Sequence, residues 1–165
     1  MPACSHEPVH ADRSSNRETW CIRPANCTTA TSPATAKAAL YNDSVTPNQL
    51  VTAANSAYNA GVWAANFVSD ATGWPQVGRP LAWGSATKLT TYADATLKFD
   101  SDDTVSADAH SDITNAFGCL VYDDAATTVV DQGLCYISFG GSAQTVAAGT
   151  FTIQWSASGV LSIAM

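Results

Sequence analysis

Beyond Pro80 the chain alternates apolar and polar side chains with a period of two, the pattern of strands that bury one face. The spacing predicts strands over Leu81–Trp83, Thr87–Tyr92, Thr96–Phe99, Thr104–Ser106, Ala116–Tyr122, Leu134–Phe139, Phe151–Trp155 and Val160–Ile163. Asp, Gly, Ser and Ala dominate the turns between them. Many short strands bounded by turn residues point to a mainly β fold, an antiparallel β-sandwich or barrel. The last two strands read as a hairpin: Phe151, Ile153 and Trp155 alternate with Thr152 and Gln154, and Ser156-Ala157-Ser158-Gly159 supplies the turn. Ahead of Pro80, Lys37–Tyr41 predicts one more strand, followed by one short helix. Thr46 is a fitting N-cap, Pro47 a first helical residue, and Gln49 stands three after the cap. Leu50, Val51, Ala54, Ala57 and Tyr58 then recur at helical spacing, and Gly61 is a natural stop. The run Val62–Val68 fits either a continuation of the helix or a strand.

Residues 1–36 show neither period. They hold Pro2, Pro8, Pro24 and Pro33, three Arg, no Lys, and few aliphatic side chains beyond Val9 and Ile22. Such a stretch has too little apolar surface to offset the entropy of ordering itself. The chain therefore divides into an extended N-terminal arm, residues 1–36, and a β-rich body, residues 37–165. Charge follows the same division: from Leu40 on, three Lys and Arg stand against eleven Asp, whereas the first 39 residues carry about +1. The whole chain has a formal charge of −7, and charged residues are only 13% of it, about half the usual share. Nucleic acid is excluded as the main partner, because phosphate binding needs clustered Lys and Arg. No run approaches the roughly 20 apolar residues of a membrane span. The first twenty residues lack the apolar stretch of a secretory leader, so neither export nor membrane association is expected.

Four segments of the body carry a resemblance. Leu97-Lys98-Phe99-Asp100-Ser101-Asp102-Asp103-Thr104-Val105 comes first, then Gly118-Cys119-Leu120-Val121-Tyr122-Asp123-Asp124. Leu134-Cys135-Tyr136-Ile137-Ser138-Phe139-Gly140-Gly141 follows, and Gly149-Thr150-Phe151-Thr152-Ile153-Gln154-Trp155-Ser156-Ala157-Ser158-Gly159-Val160-Leu161 closes the series. In this order they resemble a family of small β-rich structural proteins encoded among the head and tail genes of tailed bacteriophages. Ser138 departs from the pattern, standing where the family has an acidic residue. The resemblance covers roughly residues 37–165 and implies a virion structural role, capsid decoration or minor capsid protein, with no catalytic motif to transfer.

Candidate chemistry is sparse. Cys4, His6, His10, Cys21 and Cys27 are ligand types that suit tetrahedral zinc. Their spacing, C-x-H-x3-H-x10-C-x5-C, matches no zinc motif, and a polar arm with incidental Cys and His is the plainer reading. Asp100, Asp102 and Asp103 resemble the start of a calcium loop, which Asp123, Asp124 and Asp131 could complete. The glycine and closing Glu of such a loop are missing, so solvated acidic turns are expected. His110 and Ser111 are adjacent in a polar run, which by itself makes no catalytic triad. Cys119 and Cys135 fall on strands that a simple register would set opposite each other, yet two small buried thiols are expected in a chain made in a reducing cytoplasm.

These observations favour a non-enzymatic binding protein without metal or cofactor. Its expected partners are the major capsid protein or other virion subunits, with a homo-oligomer on the particle, trimer ahead of dimer. Trp20 and Ile22 on the arm and Trp74 in the body, set between Gly73 and Pro75, are the candidate partner anchors, since Trp is enriched at interface hot spots. Two alternatives remain open: a host-binding spike or carbohydrate-binding module, and a tail or connector component.

Overall fold

The computed structural model describes residues 19–21, 36–48, 50–81, 91–93 and 96–164. In chain order the strands are β1 (Thr19–Cys21), β2 (Ala36–Tyr41), β3 (Phe67–Val68), β4 (Arg79–Pro80), β5 (Thr91–Ala93), β6 (Thr96–Phe99) and β7 (Thr104–Val105). They continue with β8 (Ser111–Ala116), β9 (Gly118–Asp123), β10 (Gln132–Ser138), β11 (Gln144–Gly149), β12 (Thr152–Ile153) and β13 (Leu161–Ala164). The fold is mainly β and its strand pairs are antiparallel. The largest sheet runs β1-β10-β9-β2-β3, with β4 beside β2; the smaller groups are β11-β8, β12-β7 and β13-β6-β5. None of these sheets closes into a barrel among the described residues.

Strand β9 explains the layering. All six of its residues are buried, so it is covered on both faces. Successive side chains in a strand point to opposite faces, and the two faces of this sheet feed two separate cores. On one face Cys119, Val121, Ala36, Ala38, Leu40, Cys135 and Ile137 meet Trp74, Leu81, Ile113, Phe151, Ile153 and Val160. On the other, Leu120, Tyr122, Ala39, Tyr41 and Tyr136 meet Val45 and Trp63. The Tyr41 hydroxyl donates to the Trp63 carbonyl (3.0 Å), and the Tyr122 hydroxyl to the Val77 carbonyl (2.6 Å). Tyr58 stacks on Tyr122, the ring centroids 4.6 Å apart. Gly78 at φ +80° fits the turn before β4, where a Cβ would run into the Ala38 carbonyl.

Several sequence expectations are corrected. The helix expected after Thr46 does not form. Residues 53–56 and 61–64 are single 3-10 turns, and Thr52 ahead of the first makes no side-chain cap. Asn42 and Asn48 accept the N–H groups of Ser44 and Leu50, so local side-chain bonds take the place of helical ones. Asn59, Gly61 and Asn66 have positive φ, which an α-helix does not admit. Leu50, expected on the helix's buried face, is 86% exposed, whereas Ala57 is buried. The open run Val62–Val68 becomes a 3-10 turn followed by β3. The predicted strand Ala116–Tyr122 is divided: Asn115 at φ 63° and Phe117 carry the chain from β8 in one sheet to β9 in another. The terminal hairpin is also absent. The Ser156–Gly159 turn exists, but β12 pairs with β7 and β13 with β6. Strand β11 had no apolar signal, being mostly exposed. Cys119 and Cys135 are buried but not opposite one another. The register sets Cys119 against Ile137 and Cys135 against Val121, with a shift between Gly133 and Cys135. Of residues 1–36, four lie in this chain's own sheet, Thr19–Cys21 as β1 and Ala36 as the first residue of β2; the part of Leu81–Trp83 beyond Leu81 and the part of Thr87–Tyr92 before Thr91 lie outside the described residues.

Two tryptophans give a contrast in unfolding experiments. Trp74 is fully buried and its indole N–H donates to the Ala38 carbonyl (3.1 Å), whereas the buried Trp63 N–H has no partner among the described residues. Trp74→Phe loses a hydrogen bond as well as volume, while Trp63→Phe removes an unsatisfied donor that itself costs about 1–3 kcal/mol. Urea unfolding is expected to show the larger loss for Trp74→Phe, and a change within about 0.5 kcal/mol for Leu50→Ser.

The tyrosines predict the alkaline limit. Burial, with neighbouring Tyr58 and Tyr122 adding to it, pushes the Tyr41 pKa far up, and burial with Asp124 does the same for Tyr122. Burial, reinforced by Cys119, pushes Tyr136 up to about 12. An unfolded tyrosine ionises near pH 10, so the folded state holds protons that the unfolded state releases. Their contribution to stability is complete below that pH and is lost as pH rises toward the folded values. Tyrosinate absorbance is expected to appear in one cooperative step coincident with loss of near-ultraviolet circular dichroism. Gradual ionisation without unfolding contradicts this.

Candidate functional site

The Asp-rich turns are the first place to look for chemistry, and their carboxylates serve as acceptors for loop N–H groups. Asp70 is the centre of one such knot. It accepts from Thr72 N and Oγ1, from Gly73 N (3.2 Å) and from Asp112 N (3.3 Å) across the fold. Desolvation pushes the Asp70 pKa up, but these donors together hold it below the ordinary carboxylate value. Asp112 accepts from Ala148 N (2.8 Å), Asp103 from Trp155 N (3.2 Å) and Asp123 from Ala125 N (3.0 Å). The buried hydroxyls of Ser106 and Ser111 both donate to the Asp108 carbonyl. Local side-chain-to-backbone bonds of this kind are what Asp and Ser provide in turns.

The Asp residues weighed as the start and completion of a calcium loop form no metal-holding group among the described residues. Asp100 pairs with Lys98 (3.2 Å), whose ammonium also donates to the Ala157 carbonyl. Just past β9, Asp124 pairs with Lys37 (2.7 Å). Desolvation and then Asp124 raise the pKa of Asp131, and Lys37 opposes them. No group of three His, Cys, Asp or Glu placed to hold a metal occurs among the described residues. Cys4, His6, His10 and Cys27 lie outside those residues, and Cys21 stands in β1 opposite Cys135. The His110 side chain is 80% exposed. Its main-chain N–H donates to Asp108 Oδ1 (2.9 Å), and its Nδ1 lies 3.6 Å from the same oxygen.

The candidate anchors separate. Trp74 is a core residue, its ring edge-on to Phe151 with centroids 5.5 Å apart, so it presents nothing to a partner. The sequence signal was misleading because a tryptophan between Gly73 and Pro75 looks like a loop tip, whereas the Asp70–Trp74 bridge folds that loop inward. Trp20 pairs with Tyr136 through its backbone in β1, and Ile22 lies outside the described residues.

A different surface draws apolar side chains together. Ile137, Phe139, Phe151 and Ile153, with Gln144, Thr152 and Gln154, line an open groove of about 180 Å³ between the ends of β10, β11 and β12. That is below the roughly 300–1,000 Å³ of small-molecule sites. Phe139 is half-buried and sits 6.2 Å from Phe151. The period-two pattern marked each of these apolar residues as a strand position; their convergence depends on β12 leaving β13, which no local pattern encodes. No membrane-crossing helix is found among the described residues. Comparison with family models, curated proteins and solved structures gives no match.

The His110 imidazole is a surface group beside one carboxylate. His110→Ala is expected to leave stability within about 0.5 kcal/mol in urea titrations, as for surface substitutions in general. A larger loss would assign His110 a structural role.

Proposed function

We propose that the chain is a structural protein of a tailed-bacteriophage virion, a capsid decoration or minor capsid protein that binds shell subunits through its body and arm and is not an enzyme. The observation that carries this reading is the convergence of the arm and the apolar groove on one flank. Thr19, where the arm enters the sheet, lies opposite Ile137, and Ile137 lines the groove. Thr19, the first described residue of β1, therefore stands on the same flank as Phe139, Phe151 and Ile153. The four segments that resemble the phage family cover β6 and β7, β9, β10, and β12 up to the start of β13, and β10 and β12 border the groove. Binding comes from half-buried Phe139 and the polar rim of that groove, Gln144, Thr152 and Gln154, and from the reach of the arm. A cyclic oligomer on the particle, trimer ahead of dimer, fits a protein that decorates a symmetric shell after assembly in the host cytoplasm. A carbohydrate platform has less support, since Trp63 and Trp74 are buried and the indole of half-buried Trp155 is tied to Thr104 Oγ1 (3.0 Å).

Deletion of residues 1–18 leaves β1 in place and tests the reading. The truncated protein is expected to keep its denaturation midpoint and to be absent from purified particles of the encoding phage. A truncated protein that still decorates them overturns the role of the arm. Many copies on capsomers in a density map support decoration, whereas a single ring or fibre reassigns the protein to the connector or a host-binding part.

A further inference from the structure

The register of β1 against β10 sets Cys21 directly opposite Cys135. One of these cysteines belongs to a three-residue edge strand from the arm, the other to a fully buried position in the body's largest sheet. We infer that Cys21 and Cys135 form a disulfide, a redox clip that fastens the arm strand to the body. It rests on the register alone and holds whatever the protein's partner.

The geometry selects this pair over its neighbours. Directly opposed residues in an antiparallel pair have Cα atoms about 4.5–5.5 Å apart, inside the roughly 4.4–6.8 Å that a disulfide spans. Cys119 lines the same core as Cys135 but is opposite Ile137, which makes it a diagonal neighbour. Diagonal neighbours lie about 7–8 Å apart, beyond the limit of about 7 Å for bridging without backbone movement. Cys21 is thus the cysteine that the register sets directly across from Cys135.

A strand of three residues at a sheet edge opens readily, and opening admits a reagent to the buried Cys135 sulfur. In a reducing cytoplasm both remain thiols. In an oxidising medium the co-reactant is a small-molecule disulfide. The Cys21 thiolate attacks one of its sulfurs, breaking the small S–S bond and releasing one small thiolate. The Cys135 thiolate then attacks the Cys21 sulfur of the mixed disulfide, forming the protein S–S bond and releasing the second. Two protein thiols are oxidised, one small disulfide is reduced, and the two thiol protons pass to the departing thiolates. The closed loop spans most of the chain, where a cross-link restricts the unfolded state strongly.

Full-length protein treated with oxidised glutathione, then alkylated, digested and mapped by mass spectrometry, tests the assignment. The expected product is a monomer in which the peptide containing Cys21 is joined to the one containing Cys135, with a melting temperature several degrees above that of the reduced protein. Dithiothreitol and Cys21→Ser each abolish the link and the shift, and Cys119→Ala keeps both. Because a hydroxyl at position 135 would itself be buried, Cys135→Ala serves as the second variant and also abolishes the link. A Cys119–Cys135 link, Cys21 joined to Cys4 or Cys27, a disulfide-linked dimer, or a protein that keeps all its thiols overturns the inference.

Discussion

The pairing of β2 with β9 is the constraint on which the rest of the molecule depends. Six consecutive register pairs, from Ala36 against Asp123 to Tyr41 against Gly118, form a ladder whose central residues are buried on both faces. Backbone groups so enclosed need internal partners, and the ladder supplies them. Small side chains at Ala36, Ala38 and Ala39 let covering layers approach closely on each side. Lys37, the one charged residue of β2, is part-buried along its stem and carries its ammonium to Asp124, as a long charged side chain at the border of a core does. Once both faces are apolar, both must be covered. The segment 42–66 takes one, and Trp74 with β8 and β12 takes the other.

Covering two faces with short strands and loops leaves many main-chain groups outside any ladder. The chain meets that demand with Asp, Asn and Ser rather than with Lys–Glu pairs, which accounts for both its low share of charge and its acidic balance. Asp70 illustrates the consequence for chemistry. A carboxylate that accepts several N–H groups is held ionised and in place, which suits a loop knot and ill suits proton transfer near neutral pH. The same economy makes the Asp-rich turns look like ligand sets in the sequence when they are structural acceptors.

Much of the fold class was legible because period two is a local property. Ala36–Tyr41, Thr96–Phe99 and Gln132–Ser138 are found within a residue or two of their expected bounds. What escaped is what depends on distant partners. Phe151–Trp155 and Val160–Ile163 have the pattern of a hairpin, and only the competing edges of β7 and β6 decide otherwise. Strand β11 is built from Gln144, Thr145, Val146, Ala147, Ala148 and Gly149, whose mostly exposed faces leave no hydrophobic rhythm. The helix after Thr46 failed because good capping residues do not outweigh Asn59, Gly61 and Asn66 in conformations a helix excludes. Of the candidate site, the groove's apolar residues were each legible as strand positions, but their meeting was not. Trp74 was misplaced because turn residues on both sides say nothing about which way a loop folds.

The edges of the large sheet bear on how any partner can bind. On one side β2 is flanked by two-residue strands, β3 beside Leu40 and Tyr41 and β4 beside Lys37 and Ala38. On the other, β1 covers Cys135, Tyr136 and Ile137 of the seven residues in β10. In the outer pair, β11 is interrupted by two register shifts against β8, with Ala148 at φ 47°. Short, bulged edges are how β-proteins avoid pairing with copies of themselves. They also leave few main-chain groups for a partner strand, so strand addition contributes little unless β1 gives way. The stretch of β10 that β1 occupies adjoins the groove through Ile137. Edge strand and groove therefore adjoin: whatever holds β1 in place also decides whether that flank presents side chains alone or a sheet edge as well.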